Sequence, residues 1–248
     1  MTASLSGVAL VTGASSGIGL ALARVLARRG MSLCLTGRDV GRLEAAAAEV
    51  RSLGAEARTR TADLGSDADL RGLAEWVHAE AGRLDLLVHS AGSIHLGAID
   101  VVGWGDLDTD YRINLRAPFL LTKALLPLLQ ASSGQIVFVN SSAGLVAGTD
   151  NGLYAATKHA LRSLAGSIRD RVNPWGIRVL SVFPGRTATP MQEAVVRFEQ
   201  KPYHPEELLQ PGDVADIVAA ALALPRTAEV TDVVVRPMQK PSAKRSPR

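Results

Sequence analysis

The stretch Val8-Ala-Leu-Val-Thr12-Gly13-Ala-Ser-Ser-Gly17-Ile-Gly19 decides the fold. Its first five residues form an apolar run typical of a buried β-strand, and the glycine-rich turn leads at once into a helical pattern. Glycines at such a turn bring backbone N–H groups and the positive end of the helix against a pyrophosphate. The spacing Gly-x-x-x-Gly-x-Gly is a variant of the dinucleotide fingerprint. It predicts a nucleotide site formed by Gly13, Ser15, Ser16, Gly17, Ile18 and Gly19.

The same turn also matches Gly-x-Ser-x-Gly, with Ser15 at its centre, which is the pattern of a serine hydrolase nucleophile. In that fold the nucleophile normally lies well inside the sheet, whereas only 12 residues precede Gly13. The histidines at positions 78, 89, 95, 159 and 204 show no convincing partner pattern. A serine hydrolase is therefore a third, weaker hypothesis.

Beyond the turn, short apolar runs alternate with segments of helical period, which is the pattern of repeated βα units. Strands are predicted at residues 8–12, 31–36, 56–61, 84–89, 135–140, 177–183 and 231–235. Helices are predicted at residues 17–29, 40–53, 67–81, 107–129, 153–172 and 213–224. Right-handed crossovers wind such units into one open sheet. The sequence predicts an α/β fold with a Rossmann-like doubly wound parallel sheet of seven strands and helices on both faces, in one domain over residues 1–237.

Composition narrows the possible partners. The 248 residues carry 27 basic and 24 acidic side chains, and four of the basic ones lie in the last 11 residues, which leaves the body at −1. Without a basic groove, no nucleic-acid partner is expected, and residues 238–248 are predicted to be a disordered basic tail. There is no apolar run of roughly 18 residues and no secretory signal, so we expect a cytoplasmic protein without a membrane partner. The spacing of Cys, His and acidic residues predicts no metal site.

A second anchor for a dinucleotide is expected about 20 residues after the glycines, at the end of the second strand. Arg38 and Asp39 stand there. Arginine accommodates the 2′-phosphate of NADP(H) with a bidentate fork, whereas an acid binds the ribose 2′-hydroxyl of NAD(H). Arg38 favours NADP(H), and Asp39 keeps NAD(H) possible. Alternatively, the two residues are a solvated charge pair that opens the next helix.

Tyr154 and Lys158 are four residues apart in a helical pattern, so their side chains lie on one helix face. A tyrosine with a pKa near 10 is a poor acid–base group at neutral pH, and a nearby cation lowers that pKa. The pair lies 13 residues after Ser141, which ends the fifth predicted strand. This position, in a chain that already shows a nucleotide turn, predicts an active site.

These features together resemble the short-chain dehydrogenase/reductase family in its single-domain form. Six elements occur in the family's order and spacing, between Gly7 and about Pro237: Thr12-Gly-x-x-x-Gly17-x-Gly19, Asp63-Leu64, Asn114, Ser141, Tyr154-x-x-x-Lys158 and Pro184-Gly185. The resemblance implies a catalytic set of Asn114, Ser141, Tyr154 and Lys158. It also implies cofactor contacts at Asp63, Leu64, Ala91, Gly92, Pro184, Gly185, Thr187 and Thr189, and again at Tyr154 and Lys158.

The resemblance further implies an oxidoreductase that moves a hydride between nicotinamide and a small carbonyl or alcohol substrate. Ser141, which the family spacing selects over Ser142, orients the substrate oxygen, and Tyr154 transfers its proton. Lys158 holds the nicotinamide ribose and, with the cationic nicotinamide, depresses the tyrosine pKa. Asn114 keeps its helix locally open. A nucleotide-binding regulator of the same fold without catalysis is the second hypothesis.

The chain departs from the family where His89-Ser90-Ala91-Gly92 replaces the common Asn-Asn-Ala-Gly. We expect His89 and His95 to be structural histidines; the alternative is that they face the substrate. The amphipathic segment at residues 191–198 is a candidate lid over an apolar substrate pocket. By the resemblance, the helices predicted at residues 107–129 and 153–172 pair the chain into a homodimer or homotetramer.

Overall fold

Seven parallel strands form one sheet in the computed structural model, which describes residues 5–239. The strands are β1 Val8–Thr12, β2 Ser32–Gly37, β3 Ala57–Thr61, β4 Leu86–His89, β5 Gln135–Val139, β6 Arg178–Pro184 and β7 Asp232–Val235. Their order in the sheet is β3-β2-β1-β4-β5-β6-β7. The order confirms the predicted doubly wound sheet. Positions 240–248 of the predicted tail lie outside the described residues, so its disorder stays a prediction.

Helices cover both faces of this sheet. They are α1 Gly17–Arg28, α2 Val40–Ser52, α3 Asp67–Ala81, α4 Trp104–Tyr111, α5 Ala117–Ser132, α6 Gly152–Val172, α7 Pro190–Phe198 and α8 Pro211–Leu222. Adjacent strand residues point to opposite faces. Accordingly, Val11 of β1 joins a buried cluster with α1, α2 and α8, whereas Leu10 joins a second cluster with α3, α5 and α6. None of the helices within residues 5–239 combines the length and the apolar character that a membrane span requires.

The helix predicted at residues 107–129 is wrong in its bounds. A π-helical turn over Arg112–Arg116 separates α4 from α5, and Asn114 lies at its centre. The Asn114 side chain accepts a hydrogen bond from the Ser93 backbone N–H at 2.9 Å and donates to the Ser93 carbonyl at 2.9 Å and to Thr157 Oγ1 at 3.1 Å. We attribute the widened turn to these long-range bonds, which hold Asn114 against other segments. The other predicted bounds differ from the observed ones by at most two residues.

The site is positioned by the reversal of strand order between β1 and β4, because ligands of doubly wound sheets bind at that crevice. Gly13 follows β1 with φ +66°, and a Cβ atom on it would stand 2.8 Å from the Ala91 Cα. A Cβ on Gly19 would stand 2.2 Å from the Gly13 carbonyl oxygen. Only glycine at both positions lets the turn, α1 and the β4 exit approach this closely.

His89 ends β4 as a buried structural residue, as expected from the sequence. Its Nε2 lies 2.9 Å from Thr122 Oγ1, and its ring stacks on Phe138 with centroids 5.0 Å apart. Burial lowers the pKa of His89 to about 3. The ring is therefore neutral in the folded protein over the range in which an exposed histidine takes up a proton.

This depressed pKa makes folding sensitive to acid. Below about pH 6.5 the unfolded chain protonates His89 and the folded chain does not, so the free energy of unfolding falls as pH falls, by up to about 1.4 kcal/mol per unit. His89→Asn lacks this contribution, so its stability should decline less steeply than that of the wild type between about pH 6.5 and about pH 4.5. Urea unfolding at several pH values measures both slopes. Gln130→Asn, an exposed substitution that removes no titratable group, is the control and should keep the wild-type slope. Equal slopes for His89→Asn and the wild type would contradict the account.

Candidate active site

A cavity of about 440 Å³ opens at the carboxyl ends of the strands. This volume is within the range of small-molecule sites. It is lined by all residues predicted to contact the nucleotide: Gly13, Ser15, Ser16, Gly17, Ile18, Gly19, Arg38, Asp63, Leu64, Ala91, Gly92, Tyr154, Lys158, Pro184, Gly185, Thr187 and Thr189. The fold therefore brings into one cavity residues that are up to about 180 positions apart in the sequence.

The glycine-rich turn presents the amino-terminal end of α1 to this cavity. Ser16 precedes α1 without a side-chain capping bond, and the first turn of α1 contains no acidic residue. The positive end of the helix dipole is thus available to an anion. A Cβ on Gly17 would stand 3.0 Å from Thr189 Cγ2, so the turn also lies against the loop after β6.

Arg38 and Asp39 do not form the charge pair that was the alternative interpretation. Asp39 caps α2, because its carboxylate accepts a hydrogen bond from the Arg42 backbone N–H at 2.9 Å and pairs with Arg42 Nε at 3.0 Å. These bonds hold the pKa of Asp39 below its usual range. Arg38 lines the cavity and forms no ion pair with a carboxylate within residues 5–239.

Helix α6 places Tyr154 and Lys158 on the cavity wall, and both side chains are buried. Lys158 Nζ lies 5.7 Å from the centre of the Tyr154 ring and donates a hydrogen bond to the Val139 carbonyl at 3.1 Å. Burial lowers the pKa of Lys158 to about 8, against the opposing negative charge of Asp110. Burial likewise raises the pKa of Tyr154 to about 12, with Ser141 acting to lower it and Asp110 adding to the increase.

The pKa of Tyr154 is thus raised in the protein alone, whereas the resemblance implies a depressed value once the cofactor is bound. The reason is that desolvation of the phenolate is the largest effect on this buried side chain. Lys158, whose ammonium group donates to a backbone carbonyl, does not offset it. The phenol of the unliganded chain keeps its proton at neutral pH.

Ser141 and Ser142 both line the cavity at the end of β5. The Ser141 hydroxyl accepts a hydrogen bond from the Ala143 backbone N–H at 3.1 Å and acts on the Tyr154 phenol by hydrogen bonding. This interaction with Tyr154 distinguishes Ser141 from Ser142.

Asn114, in contrast, does not line the cavity but lies behind its wall. A Cβ placed on Gly92 would stand 3.3 Å from Asn114 Oδ1 and 3.9 Å from Lys158 Nζ. Asn114 therefore reaches the site indirectly, through Gly92 and through its bonds to Ser93.

Asn140 lines the cavity and was missed in the sequence analysis. Its Oδ1 accepts a hydrogen bond from the Ser141 backbone N–H at 2.9 Å, whereas its buried Nδ2 has no partner within the described residues. The same is true of Thr36 Oγ1 and Gln192 Nε2, which also belong to residues lining the cavity. Unpaired buried polar atoms are rare, and here they fit a cavity built for a polar ligand. The position of Asn140 directly before Ser141 was the only signal for it in the sequence.

The structure gives the serine hydrolase hypothesis no support. Ser15 lies in the glycine-rich turn, and within residues 5–239 none of the five histidines forms a hydrogen bond with it. His78 lies near the Ala124 carbonyl, His89 near Thr122, His95 near Asp110, His159 near the Ala155 carbonyl and His204 near Glu206. Residues 5–239 therefore provide Ser15 with no histidine base. The same residues contain no cluster of three His, Cys or acidic side chains able to hold a metal ion.

Comparison with known proteins identifies the family. The sequence model described as short chain dehydrogenase matches residues 7–200. An uncharacterized oxidoreductase of Staphylococcus epidermidis is 33% identical over 232 residues, which cover 93% of this chain and 97% of that protein. Among solved structures, an alcohol dehydrogenase of Thermococcus sibiricus, complexed with 5-hydroxy-NADP, superposes with a TM-score of 0.87 at 28% identity, covering 96% of this chain and 100% of that one. A metagenomic short-chain oxidoreductase in complex with NADP superposes with a TM-score of 0.81 at 33% identity, covering 94% and 98%. The chain belongs to the short-chain dehydrogenase/reductase family of oxidoreductases.

Proposed function

We propose that this protein is an NADP(H)-dependent oxidoreductase of small carbonyl and alcohol substrates, with Tyr154 as its acid–base group. The observation that carries the proposal is the presence of buried Tyr154 and Lys158, beside Ser141, in the same cavity as Arg38 and the glycine-rich turn. The two solved relatives described above, which are complexed with NADP or a derivative of it, support the choice of nucleotide.

The residues of the cavity fit NADP(H). The end of α1 suits the pyrophosphate, Arg38 suits the 2′-phosphate, and Lys158 suits the nicotinamide ribose. We assign Asp63 and Leu64 to the adenine, and Thr187 and Thr189 to the carboxamide. When bound, the nicotinamide supplies or accepts the hydride. NAD(H) is the weaker candidate because Asp39, the acid that suits a ribose hydroxyl, is occupied in capping α2.

The protonation states assign the side chains their roles. Ser141 donates a hydrogen bond to the substrate oxygen and orients it. A phenol with a pKa of about 12 carries its proton at neutral pH, so Tyr154 acts as an acid toward that oxygen in carbonyl reduction. Alcohol oxidation needs the phenolate, which the positive charge of Lys158 stabilises only while the amine is protonated.

The lining of the cavity indicates the substrate class. Five apolar side chains come from the loop after β4 and from α7 and its carboxyl end: Ile94, Leu96, Met191, Val195 and Phe198. Arg186 and Glu199 also line the cavity but form an ion pair with each other, which lowers the pKa of Glu199. The five apolar side chains suit a largely apolar ketone or aldehyde.

Tyr154→Phe tests the acid–base assignment. Loss of the hydroxyl should reduce kcat for carbonyl reduction by about 10²- to 10⁴-fold, while the Kd for NADPH stays within about twofold of the wild-type value. Steady-state kinetics and a fluorescence titration measure the two quantities. Tyr111→Phe removes a phenol from the exposed face of α4 and serves as the matched control. A Tyr154→Phe enzyme as active as this control would overturn the assignment.

Arg38→Ala tests the choice of nucleotide. Loss of the charge-assisted bonds to a 2′-phosphate should raise the Kd for NADPH by about 10- to 100-fold and leave the Kd for NADH nearly unchanged. Titration of both nucleotides by fluorescence gives the ratio. Arg28→Ala removes an exposed arginine at the far end of α1 that does not line the cavity, and it should keep the wild-type ratio. If Arg38→Ala raises the Kd for both nucleotides equally, Arg38 does not bind the 2′-phosphate.

We also propose the homodimer or homotetramer that the family resemblance implies. Leu107, Tyr111 and Phe119 of α4 and α5 are 47%, 46% and 45% exposed, which leaves apolar surface on these helices. Phe119→Lys should shift the protein toward monomer in sedimentation equilibrium at micromolar concentration. Val40→Lys, at a 60% exposed position of α2, should not. A wild-type protein that sediments as a monomer would refute the proposal.

A further inference from the structure

Asp110, near the end of α4, carries a carboxylate with no exposed surface. Its Oδ1 accepts a hydrogen bond from Ser93 Oγ at 2.7 Å and lies 2.8 Å from His95 Nδ1. Its Oδ2 accepts from the His95 backbone N–H at 3.2 Å. A buried carboxylate is costly unless its lone pairs are satisfied. Both oxygens are satisfied here by one short segment, the loop that follows β4.

Side chains of this loop alternate between the carboxylate and the cavity. Ser93 and His95 turn their side chains to the carboxylate, whereas Gly92, Ile94 and Leu96 line the cavity. Ser93 and His95 are bonded to their neighbours Ile94 and Leu96 along one backbone, so holding the first pair restricts where the second pair can lie. The carboxylate on the far side therefore determines where the apolar wall of the cavity stands.

The apolar wall formed by Ile94 and Leu96 contacts Tyr154, the proposed acid–base group, through Ile94. Ile94 packs against a small buried cluster of Tyr154, Ala143 and Ala155. The same loop binds Asn114 through the Ser93 backbone. A displacement of the loop would move both the apolar wall and the packing around the phenol.

Charge connects the carboxylate to the site as well. Asp110 raises the pKa of Lys158 and that of Tyr154, both of which belong to α6. On its solvent side, the imidazole of His95 is one-third exposed, and its Nε2 lies 3.6 Å from Asp106 Oδ1. The titratable groups around Asp110 are thus His95, Asp106, Tyr154 and Lys158.

We propose that Asp110, together with His95, is a positioning residue that fixes the loop after β4 and so sets the substrate wall against Tyr154. It touches neither substrate nor cofactor, because it lies behind the cavity wall. The kinetic test of this proposal rests on the proposed function. A second measurement, the titration of Lys158, does not.

Asp110→Asn is the first variant. It replaces one carboxylate oxygen, which accepts hydrogen bonds from Ser93 or His95, with an amide NH2 group that cannot accept them. The KM for an apolar ketone should rise and kcat should fall, with kcat/KM lower by about tenfold or more. The Kd for NADPH should change less than the KM, since the glycine-rich turn and Arg38, which we assign to the phosphates, are untouched. Asp108→Asn, on the exposed side of the same helix, is the matched control and should behave as the wild type. A purely structural role would lower stability without this separation of substrate and nucleotide effects.

The second readout needs no turnover. The Lys158 amine is titrated by NMR in protein labelled with ¹³C at the lysine Cε, and its signal is assigned with Lys158→Arg. Removal of the Asp110 charge should lower the Lys158 midpoint by about half a unit or more, and Asp108→Asn should leave it in place. A wild type that reduces no carbonyl would refute the proposed function, while this titration would still decide whether Asp110 acts on the site.

His95→Gln distinguishes the positioning of the loop from the charge of Asp110. It also provides a second variant if Asp110→Asn does not fold. It removes the imidazole contact but keeps the carboxylate, so KM should rise while the Lys158 midpoint stays within about 0.2 unit of the wild type. The proposal is wrong if His95→Gln and every folded Asp110→Asn preparation keep KM and kcat within about twofold of the wild type. It is also wrong if Asp110→Asn leaves the Lys158 midpoint where Asp108→Asn has it.

Discussion

The hydroxyl of Thr12 makes the contact on which the site depends. It donates a hydrogen bond to the Val88 carbonyl at 3.2 Å and accepts bonds from the backbone N–H groups of Ser90 and Ala91 at 3.0 and 3.1 Å. These bonds join the ends of β1 and β4 at the point where the strand order reverses. Because Gly13 has no side chain, the two exits lie in backbone contact there. The nucleotide turn is therefore held directly against the loop that carries one wall of the cavity.

The chemistry of the site follows from the burial that this packing produces. Tyr154 and Lys158 lie in the same buried wall, and burial shifts their pKa values in opposite directions, to about 12 and about 8. Both shifts favour the uncharged form of each side chain. The buried carboxylate of Asp110 partly opposes the shift of the lysine and adds to that of the tyrosine. Helix α6 thus holds a protonated phenol beside an amine, and the Asp110 carboxylate of α4 acts on the pKa of both.

Features that depend on local spacing were predictable from the sequence. The glycine-rich turn, Tyr154 with Lys158, and the alternation of strands and helices each reflect a short-range rule of backbone geometry. Local spacing did not reveal the interruption of the helix at Arg112–Arg116, which accompanies hydrogen bonds from Asn114 to Ser93 and Thr157, far away in the chain. Only the family resemblance, which implies that Asn114 keeps its helix locally open, indicated it. The pairing of His95 with Asp110 was hidden for the same reason: it arises only when the loop after β4 folds against α4.

The same limit applied to Arg38 and Asp39. In the sequence, Arg38 favoured NADP(H) while the adjacent Asp39 kept NAD(H) possible, since both positions follow β2. The fold separates them, because Asp39 is used to cap α2 through Arg42 while Arg38 lines the cavity. The tertiary structure thus gives Arg38 and Asp39 different surroundings, which the local sequence pattern did not reveal.

Transfer of deuterium from NADPH labelled at C4 to a panel of neutral apolar ketones and aldehydes tests the central claim most directly. The account predicts that mass spectrometry finds one deuterium on the carbinol carbon of at least one product, with the label delivered from a single face of the nicotinamide. If the protein binds NADPH but transfers label to no member of the panel, the oxidoreductase account is contradicted and a nucleotide-binding regulator becomes the better description.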